Sequence, residues 1–455
     1  MIRIKTAPRW VTGGAAYAYH PSLIEKYTEE TEYGDELKLY HEFKQGNRRM
    51  VMVPRRCCTI TPEVDKRVVG DPVAFVSSFK PRNDEQARIV KESSRLLVEK
   101  KESFILQAVP GKGKTVMSCQ LIADVGRKTL VVVTKEDLRD QWITAATTFL
   151  GLKHSEIGVI QGPQANVANK KLVIAMVQSI AGKDKHPASI FRSFGLVIFD
   201  ECHRFSAEYF SKCIWRIPAL LRLGLSATPK RSDGRDKLFR YNIGPVKVRS
   251  SQMDLKPRVV MVESGYVVPR YWTQHKKTGK DIHKQIPHKP GRIAKLAKDM
   301  AYNNARNKII TDAVIQAYNK GRKPIVFSTI RDHLELLADA AVVRGIPEEN
   351  IGLYVGGLKK HQRIEVAKKQ VLFATYQYCS EGTDIPELDS AIFATPMSNI
   401  EQIAGRILRA VPGKKTPAIF DLVDRDSWVL ARYANTRQKY YIRIGATVTW
   451  KQRSV

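Results

Sequence analysis

No apolar run in this chain is long enough to cross a membrane. Leu130-Val131-Val132-Val133 has the length of a strand, and Arg216 and Arg222 interrupt the region around Leu220-Leu221. The N-terminus lacks the uninterrupted apolar core of a secretory signal. Cysteine is scarce, and the six present (57, 58, 119, 202, 213 and 379) include no C-x-x-C pair. That disfavours a zinc ribbon and a disulfide framework, so reduced thiols in the cytoplasm are expected. No short-period repeat and no low-complexity tract occurs. Acidic residues are also few beside basic ones, 45 against 76, which leaves a net charge of +31. A surplus of that size holds the protein against a polyanion, and RNA or a membrane surface satisfies it as readily as DNA.

What is present is enough for a large folded protein. Hydrophobic residues make up 43% of 455, sufficient for ordinary cores in about three domains of roughly 150 residues each. Residues 1–78 read as a small α/β module, with an acidic stretch from Glu25 to Glu42 and a basic patch from Lys44 to Arg56. Arg48, Arg49, Arg55 and Arg56 are expected to recognise DNA geometry there, whereas Trp10, Tyr17 and Tyr19 are expected in the core. From Phe79 the texture changes to buried strands alternating with helical patterns, at 104–107, 130–133, 172–175 and 196–199. Strands apolar on both faces imply a parallel sheet with helices on either side. The texture returns after Pro257, at 324–327, 371–374, 390–393 and 419–422, and implies a second α/β lobe. The expected divisions are 1–78, 79–250, 251–425 and a basic aromatic tail at 426–455. A cationic stretch near 270–298 within the second lobe reads either as a solvated linker or as a DNA-contacting insertion. The tail, with Trp428, Tyr433, Tyr440, Tyr441 and Trp450 among Arg432, Arg437, Lys439 and Arg443, suits base stacking. It equally suits a hairpin packed on the second lobe.

Three segments carry chemistry. Ala108-Val109-Pro110-Gly111-Lys112-Gly113-Lys114-Thr115 follows an expected strand and opens an expected helix, the setting of a phosphate-binding loop. Gly111 and Gly113 let the backbone approach phosphates, Lys114 suits the β/γ-phosphates and the Thr115 hydroxyl suits Mg²⁺. Asp200-Glu201 ends the strand 196–199, so both carboxylates emerge at the carboxyl edge of the sheet. Asp200 is the candidate Mg²⁺ ligand and Glu201 the residue that polarises water; an ordinary helix cap is the plainer reading of such a pair taken alone. Gln402, Arg406 and Arg409 lie on an expected helix, on which the two arginines share a face. They are either surface residues or cations that reach a nucleotide held by the other lobe.

Taken in order, these segments resemble the superfamily 2 helicases and translocases across roughly Phe79 to Asp424. Phe79 and Gln86 resemble the adenine-reading Q motif. Thr134 and Val177-Gln178-Ser179 resemble segments that touch the nucleic-acid backbone, and Ser226-Ala227-Thr228 resembles the coupling segment. Ile325-Val326-Phe327-Ser328, followed by Thr329 and Arg331, resembles motif IV. Ala374-Thr375 with Glu381-Gly382-Thr383-Asp384 resembles motif V, in which Gly382 and Asp384 face the nucleotide, and Gln402 to Arg409 resembles motif VI. Leu225 to Gly234 looks most like the branch holding the XPB-type helicases, type III restriction translocases and phage UvsW-like branch-migration helicases.

The resemblance implies two tandem RecA-like domains, ATP and Mg²⁺ as cofactors, and DNA as partner, bound largely without regard to sequence. The expected activity is ATP-dependent unwinding or remodelling of branched DNA, such as forks and Holliday junctions, in replication, recombination or repair. A monomer is expected, with no membrane partner. An RNA helicase and a non-translocating, ATP-gated DNA-binding switch are the alternatives.

Overall fold

The computed structural model describes residues 7–30, 36–57, 60–109, 111–182, 186–205, 207–227, 229, 236–250, 255–274, 281–285, 292–379, 385–408 and 413–451. The chain divides into two compact units, Met1–Ser251 and Gln252–Val455. Each contains a parallel sheet between helices.

In the first unit the sheet order is Gln164–Ala165, Ile157–Gln161, Leu172–Met176, Thr129–Val133, Leu196–Phe199, Leu221–Ser226, Phe104–Gln107, Val246–Arg249. Every pairing but the first is parallel. The sequence of Thr129–Val133 explains why. Its side chains alternate between faces, and Leu130 and Val132 enter one apolar cluster while Val131 and Val133 enter another. A strand that buries both faces needs helices on both. The helix Asp84–Ser94 starts where Asn83 accepts from the Gln86 amide, with Asp84 and Glu85 in its positive first turn. The helix Lys114–Val125 runs between two left-handed glycines, Gly113 and Gly126.

The N-terminal segment is no separate body. Its small sheet, ordered His41–Gln45, Arg48–Val53, Ala15–Ala18, Trp10–Val11, Val64–Asp65, puts Val11, Ala15, Tyr17, Val51 and Val53 into the same cluster as Leu130, Phe199 and Phe210. Strands of two to six residues cannot bury enough surface by themselves. Gly13 marks the join, because a Cβ there would lie 2.0 Å from the Trp215 carbonyl oxygen. Buried Arg222 donates to the carbonyls of Gly13 (2.7 Å) and Asn242 (2.8 Å). The expectation that Arg55 faces DNA needs correction: it donates to the carbonyls of Ala219 at 2.7 Å and Pro218 at 3.0 Å, pinning the module to the larger sheet. Arg48, Arg49 and Arg56 are exposed.

In the second unit seven strands follow the order Ile351–Tyr354, Val371–Thr375, Pro324–Ser328, Ser390–Phe393, Ala418–Val423, Arg258–Glu263, Thr447–Lys451, all parallel. Residues after 426 therefore form part of this lobe, as the helix Trp428–Arg443 and the edge strand Thr447–Lys451. Ala434, Arg437 and Tyr441 fall at helical spacing on the buried face. There Arg437 pairs with buried Asp421 at 2.8 Å and the Tyr441 hydroxyl donates to the same carboxylate at 2.8 Å. A second buried pair, Arg306 with Asp424 through two bonds of 2.9 Å, ties the helix Asn304–Asn319 to the end of the strand Ala418–Val423. The cationic stretch forms an antiparallel hairpin, Arg270–Gln274 with Asp281–Gln285, followed by the helix Arg292–Ala301. Among the described residues, no helix is long and apolar enough to cross a membrane.

Candidate nucleotide and nucleic-acid sites

Because the strands of the first sheet are parallel, their carboxyl ends share one edge, and the candidate residues of that unit gather along it. The loop 108–113 follows Phe104–Gln107, Thr134 follows Thr129–Val133, Gln178 follows Leu172–Met176, Asp200 follows Leu196–Phe199, and Ser226 closes Leu221–Ser226. Such an edge is where open α/β sheets bind ligands.

Gly111 and Gly113 adopt φ of 86° and 78°, left-handed values that favour glycine. Gly113 also sits in a tight place, where a Cβ would come within 3.0 Å of the Gln86 amide nitrogen. The N-terminus of Lys114–Val125, with Thr115 in its first turn, opens directly onto this loop, so unpaired amides and the positive helix end face the same point. Lys114 Nζ donates to the Ala108 carbonyl at 3.0 Å and pairs with Glu201 Oε1 at 3.1 Å.

Neighbouring side chains brace the loop. Gln86 is buried, and its carboxamide accepts from the Arg82 amide at 2.9 Å and donates to the Lys112 carbonyl at 2.8 Å. In this arrangement Gln86 shapes the loop with both ends of its carboxamide. Lys112, expected at the nucleotide, instead has its ammonium 2.8 Å from Glu85, which stands in the first turn of the helix Asp84–Ser94. Phe79 is half-buried and, with Pro81, Val90 and Gln120, lines a cavity of about 450 Å³.

Asp200 and Glu201 are adjacent in sequence but different in chemistry. Burial, and after it the charge of Glu201, raises the Asp200 pKa to about 6, against the pull of the Trp142 indole N–H at 2.8 Å and of Lys114. Burial also pushes Glu201 upward, yet Lys114, His203 and Arg204 together outweigh it and hold the carboxyl below its ordinary value. Glu201 is therefore the stronger acid of the pair. Its backbone is left-handed at φ 48°, a conformation that costs on the order of 1 kcal/mol or more for a non-glycine residue and tends to be kept at functional sites. His203 Nδ1 lies 3.5 Å from Glu201 Oε2 and 2.8 Å from Ser226 Oγ, so one imidazole bridges the carboxylate and the next strand end.

These residues fit a magnesium nucleotide. Glu201 Oε2 is buried without a hydrogen bond, and among the described residues no group of three or more His, Cys, Asp or Glu makes a protein cage for a metal. Mg²⁺ does not need one, since it keeps waters and takes one or two carboxylates together with substrate phosphates. Asp200 and the Thr115 hydroxyl are the groups available to it.

The remaining candidates are distributed as follows. Thr134 Oγ1 is buried with no hydrogen-bond partner, Gln178 is exposed, and Ser179 accepts from the Gly162 amide at 2.8 Å. In the second unit Thr329 and Thr375 both lie at the carboxyl edge. Thr329 is exposed and its amide donates to Thr395 Oγ1 at 2.9 Å; Arg331 is exposed and pairs with Glu335 at 2.9 Å. Gln402 and Arg406 stand on the helix Glu401–Ile407, but their side chains, together with Pro110, Thr228, Gly382, Asp384 and Arg409, lie outside the described residues. Sequence reasoning missed Trp142, Arg82 and Glu85. Trp142 reaches Asp200 across 58 residues, Glu85 reaches Lys112 across 27, and the Arg82 guanidinium donates to the Gly111 carbonyl at 3.2 Å; no local pattern marks such contacts.

Comparison with known proteins gives concordant results. Residues 79–231 match the family described as type III restriction enzyme, res subunit. A protein of Acanthamoeba polyphaga mimivirus that bears the name of an ATP-dependent RNA helicase is 31% identical over 73% of this chain and 62% of its own length. The chain thus spans about three fifths of that relative. A protein of Escherichia phage T5 that bears the name of a helicase is 27% identical over 85% of this chain and 80% of its own. Among solved structures, a fragment of an HsdR subunit of a type I restriction enzyme from Vibrio vulnificus covers 83% of this chain and 69% of its own at TM-score 0.56 and 19% identity, a likeness of fold. The structure of T4 UvsW covers 95% of both chains at TM-score 0.36, too low to bear on the fold.

Proposed function

We propose that the chain is a superfamily 2 helicase, and more narrowly an ATP-dependent DNA translocase that unwinds or remodels branched DNA; the family match over residues 79–231 and the helicase names borne by its relatives support the broader part. The observation that carries the catalytic part is the Lys114–Glu201 pair at 3.1 Å, set between a glycine loop and a helix N-terminus. Lys114 exchanges Glu201 for phosphate oxygens when ATP binds. Glu201, kept ionised by its cationic neighbours, is then released to orient the attacking water. Asp200 and the Thr115 hydroxyl would hold Mg²⁺, which would neutralise charge on the phosphates. The role of Arg406 and Arg409 as cations toward the γ-phosphate rests on the motif resemblance alone; residues of that kind are worth roughly 10³ to 10⁵ in rate. His203, joined to both Glu201 and Ser226, carries the state of the nucleotide to the next strand end.

Thr134, Gln178, Ser179, Thr329, Arg331 and Thr375 contact the nucleic-acid backbone in this reading, without sequence preference. Affinity then falls with salt at a slope of about −0.9 per duplex phosphate neutralised. In this reading the protein acts as a monomer in the cytoplasm. The name borne by the mimivirus relative favours a second reading, in which RNA is the substrate. ATPase and unwinding assays on single-stranded, duplex, forked and four-way DNA and on RNA separate the two. Lys114→Ala and Glu201→Gln are expected to abolish stimulated turnover, with Glu201→Gln still binding ATP; near-normal turnover in either variant sinks the assignment. Stimulation by RNA and not DNA replaces the DNA reading with the second.

A further inference from the structure

The carboxyl edge of the second sheet does not end at Thr375 and Thr329. It continues through the strands Ser390–Phe393, Ala418–Val423 and Arg258–Glu263 to the outermost strand, Thr447–Lys451. Trp450 lies opposite Met261, which lies opposite Asp421, and so on through Phe393 and Phe327 to Ala374. Trp450 therefore stands one residue below the level of Thr375, five strand spacings away, or about 24 Å.

Trp450 is 40% exposed in spite of its place in a strand. The guanidinium of Arg425, which follows Ala418–Val423, the second strand in from the edge strand of Trp450, stands 4.6 Å over its ring. Arg425 is steered there by Glu263 at 3.3 Å and keeps about half of its side chain in solvent. Trp428, 63% exposed, opens the helix that leaves this same edge. That helix returns along the face of the sheet on which Asp421 meets Arg437 and Tyr441, the face that Trp450 shares by register. Asp426, just before the helix, receives the Val268 amide at 2.8 Å and pairs with Arg270 at 3.1 Å. Arg270 is the first residue of the antiparallel hairpin, so the base of the hairpin is fastened to the residue two before Trp428.

We propose that Trp450 and Trp428, with Arg425, form a stacking platform for single-stranded nucleic acid at the far end of the second lobe's carboxyl edge. The inference rests on the helicase reading and names where the separated strand is held. Exposed indoles beside cations are suited to this ligand, because every base offers a π-face while the guanidinium takes the phosphate. Charge complementarity favours it over an apolar protein partner, given the net charge of +31 and an Arg425 guanidinium that lies over the Trp450 ring with about half of its side chain in solvent. The span from Thr375 corresponds to about seven stacked nucleotides at 3.4 Å each.

The test measures binding of the full chain to fluorescently labelled oligo(dT), oligo(U) and blunt duplex by anisotropy, beside ATPase activity without nucleic acid. Trp450→Ala is expected to weaken oligo(dT) and oligo(U) binding by roughly 5- to 150-fold, the range seen for loss of one stacking side chain. Trp428→Ala is expected to weaken it in the same direction, Trp450→Phe to restore most of the loss, and duplex binding and basal ATPase to stay unchanged. If both alanine variants bind oligo(dT) and oligo(U) within twofold of the parent, or if duplex binding falls equally, the platform is refuted. Loss of single-strand binding in a protein that proves unable to hydrolyse ATP leaves the platform standing and removes only the helicase reading.

Discussion

Replacing Asp200 with Asn should make the metal-free protein more stable while destroying its catalysis. Asp200 is 4% exposed, lies beside Glu201, and has its pKa raised to about 6 from the usual 3.8. A carboxyl whose pKa is higher in the fold than in the unfolded chain binds its proton more tightly when folded. Its ionisation therefore leaves stability untouched below pH 3.8, erodes it as the pH climbs from there to about 6, and removes the full amount above. The gap between 3.8 and about 6 corresponds to about 3 kcal/mol at 1.36 kcal/mol per pH unit. Asparagine has nearly the same shape, keeps an oxygen for the Trp142 indole at 2.8 Å, and has nothing to ionise. Calorimetry of the full chain in EDTA should show the transition of the first unit raised in Asp200→Asn by about 6–12 °C at pH 7.5, and by about half of that at pH 5. Adding Mg²⁺ with a non-hydrolysable ATP analogue should then raise the transition of the parent but not of the variant. An unchanged or lowered transition at pH 7.5, or a gain independent of pH, refutes the account of Asp200 as a destabilised carboxylate held in place for a ligand.

Other perturbations probe separate links. Ser226→Ala removes the 2.8 Å contact with His203 and should leave nucleic-acid-stimulated ATPase within a fewfold of normal while strand displacement falls at least tenfold; equal losses in both assays contradict a coupling role. Asp421→Asn leaves the Arg437 guanidinium buried without its carboxylate and should destabilise the second unit by about 3–5 kcal/mol, read in urea unfolding, with much of the loss recovered in Asp421→Asn/Arg437→Met. Removing residues 1–78 should not yield a soluble ATPase core, because it exposes the cluster around Phe199 and Phe210; a truncated protein with the parent's melting transition shows that the shared core is not needed.

The sequence by itself was enough for the parts whose physics is local. Buried strands announce themselves as runs apolar at every position, as in 130–133 and Leu196–Phe199, and a helix after Gly113 follows from the glycines and the residues that open it. The loop, the acidic pair and the order of the motifs were legible for the same reason: each is a short contiguous pattern whose chemistry depends on adjacent residues. The tertiary structure decided what depends on which distant groups meet. It took Arg437 and Tyr441 from an apparently basic tail and buried them on Asp421, because helical spacing turns them inward and a carboxylate waits there. It turned Arg55 from a presumed reader of DNA into a joint between sheets. It also set Asp200 and Glu201 apart as acids, which two neighbouring carboxyls cannot do by themselves: Trp142, 58 residues before Asp200, and Lys114, 87 residues before Glu201, arrive only through parallel strands whose ends share one edge.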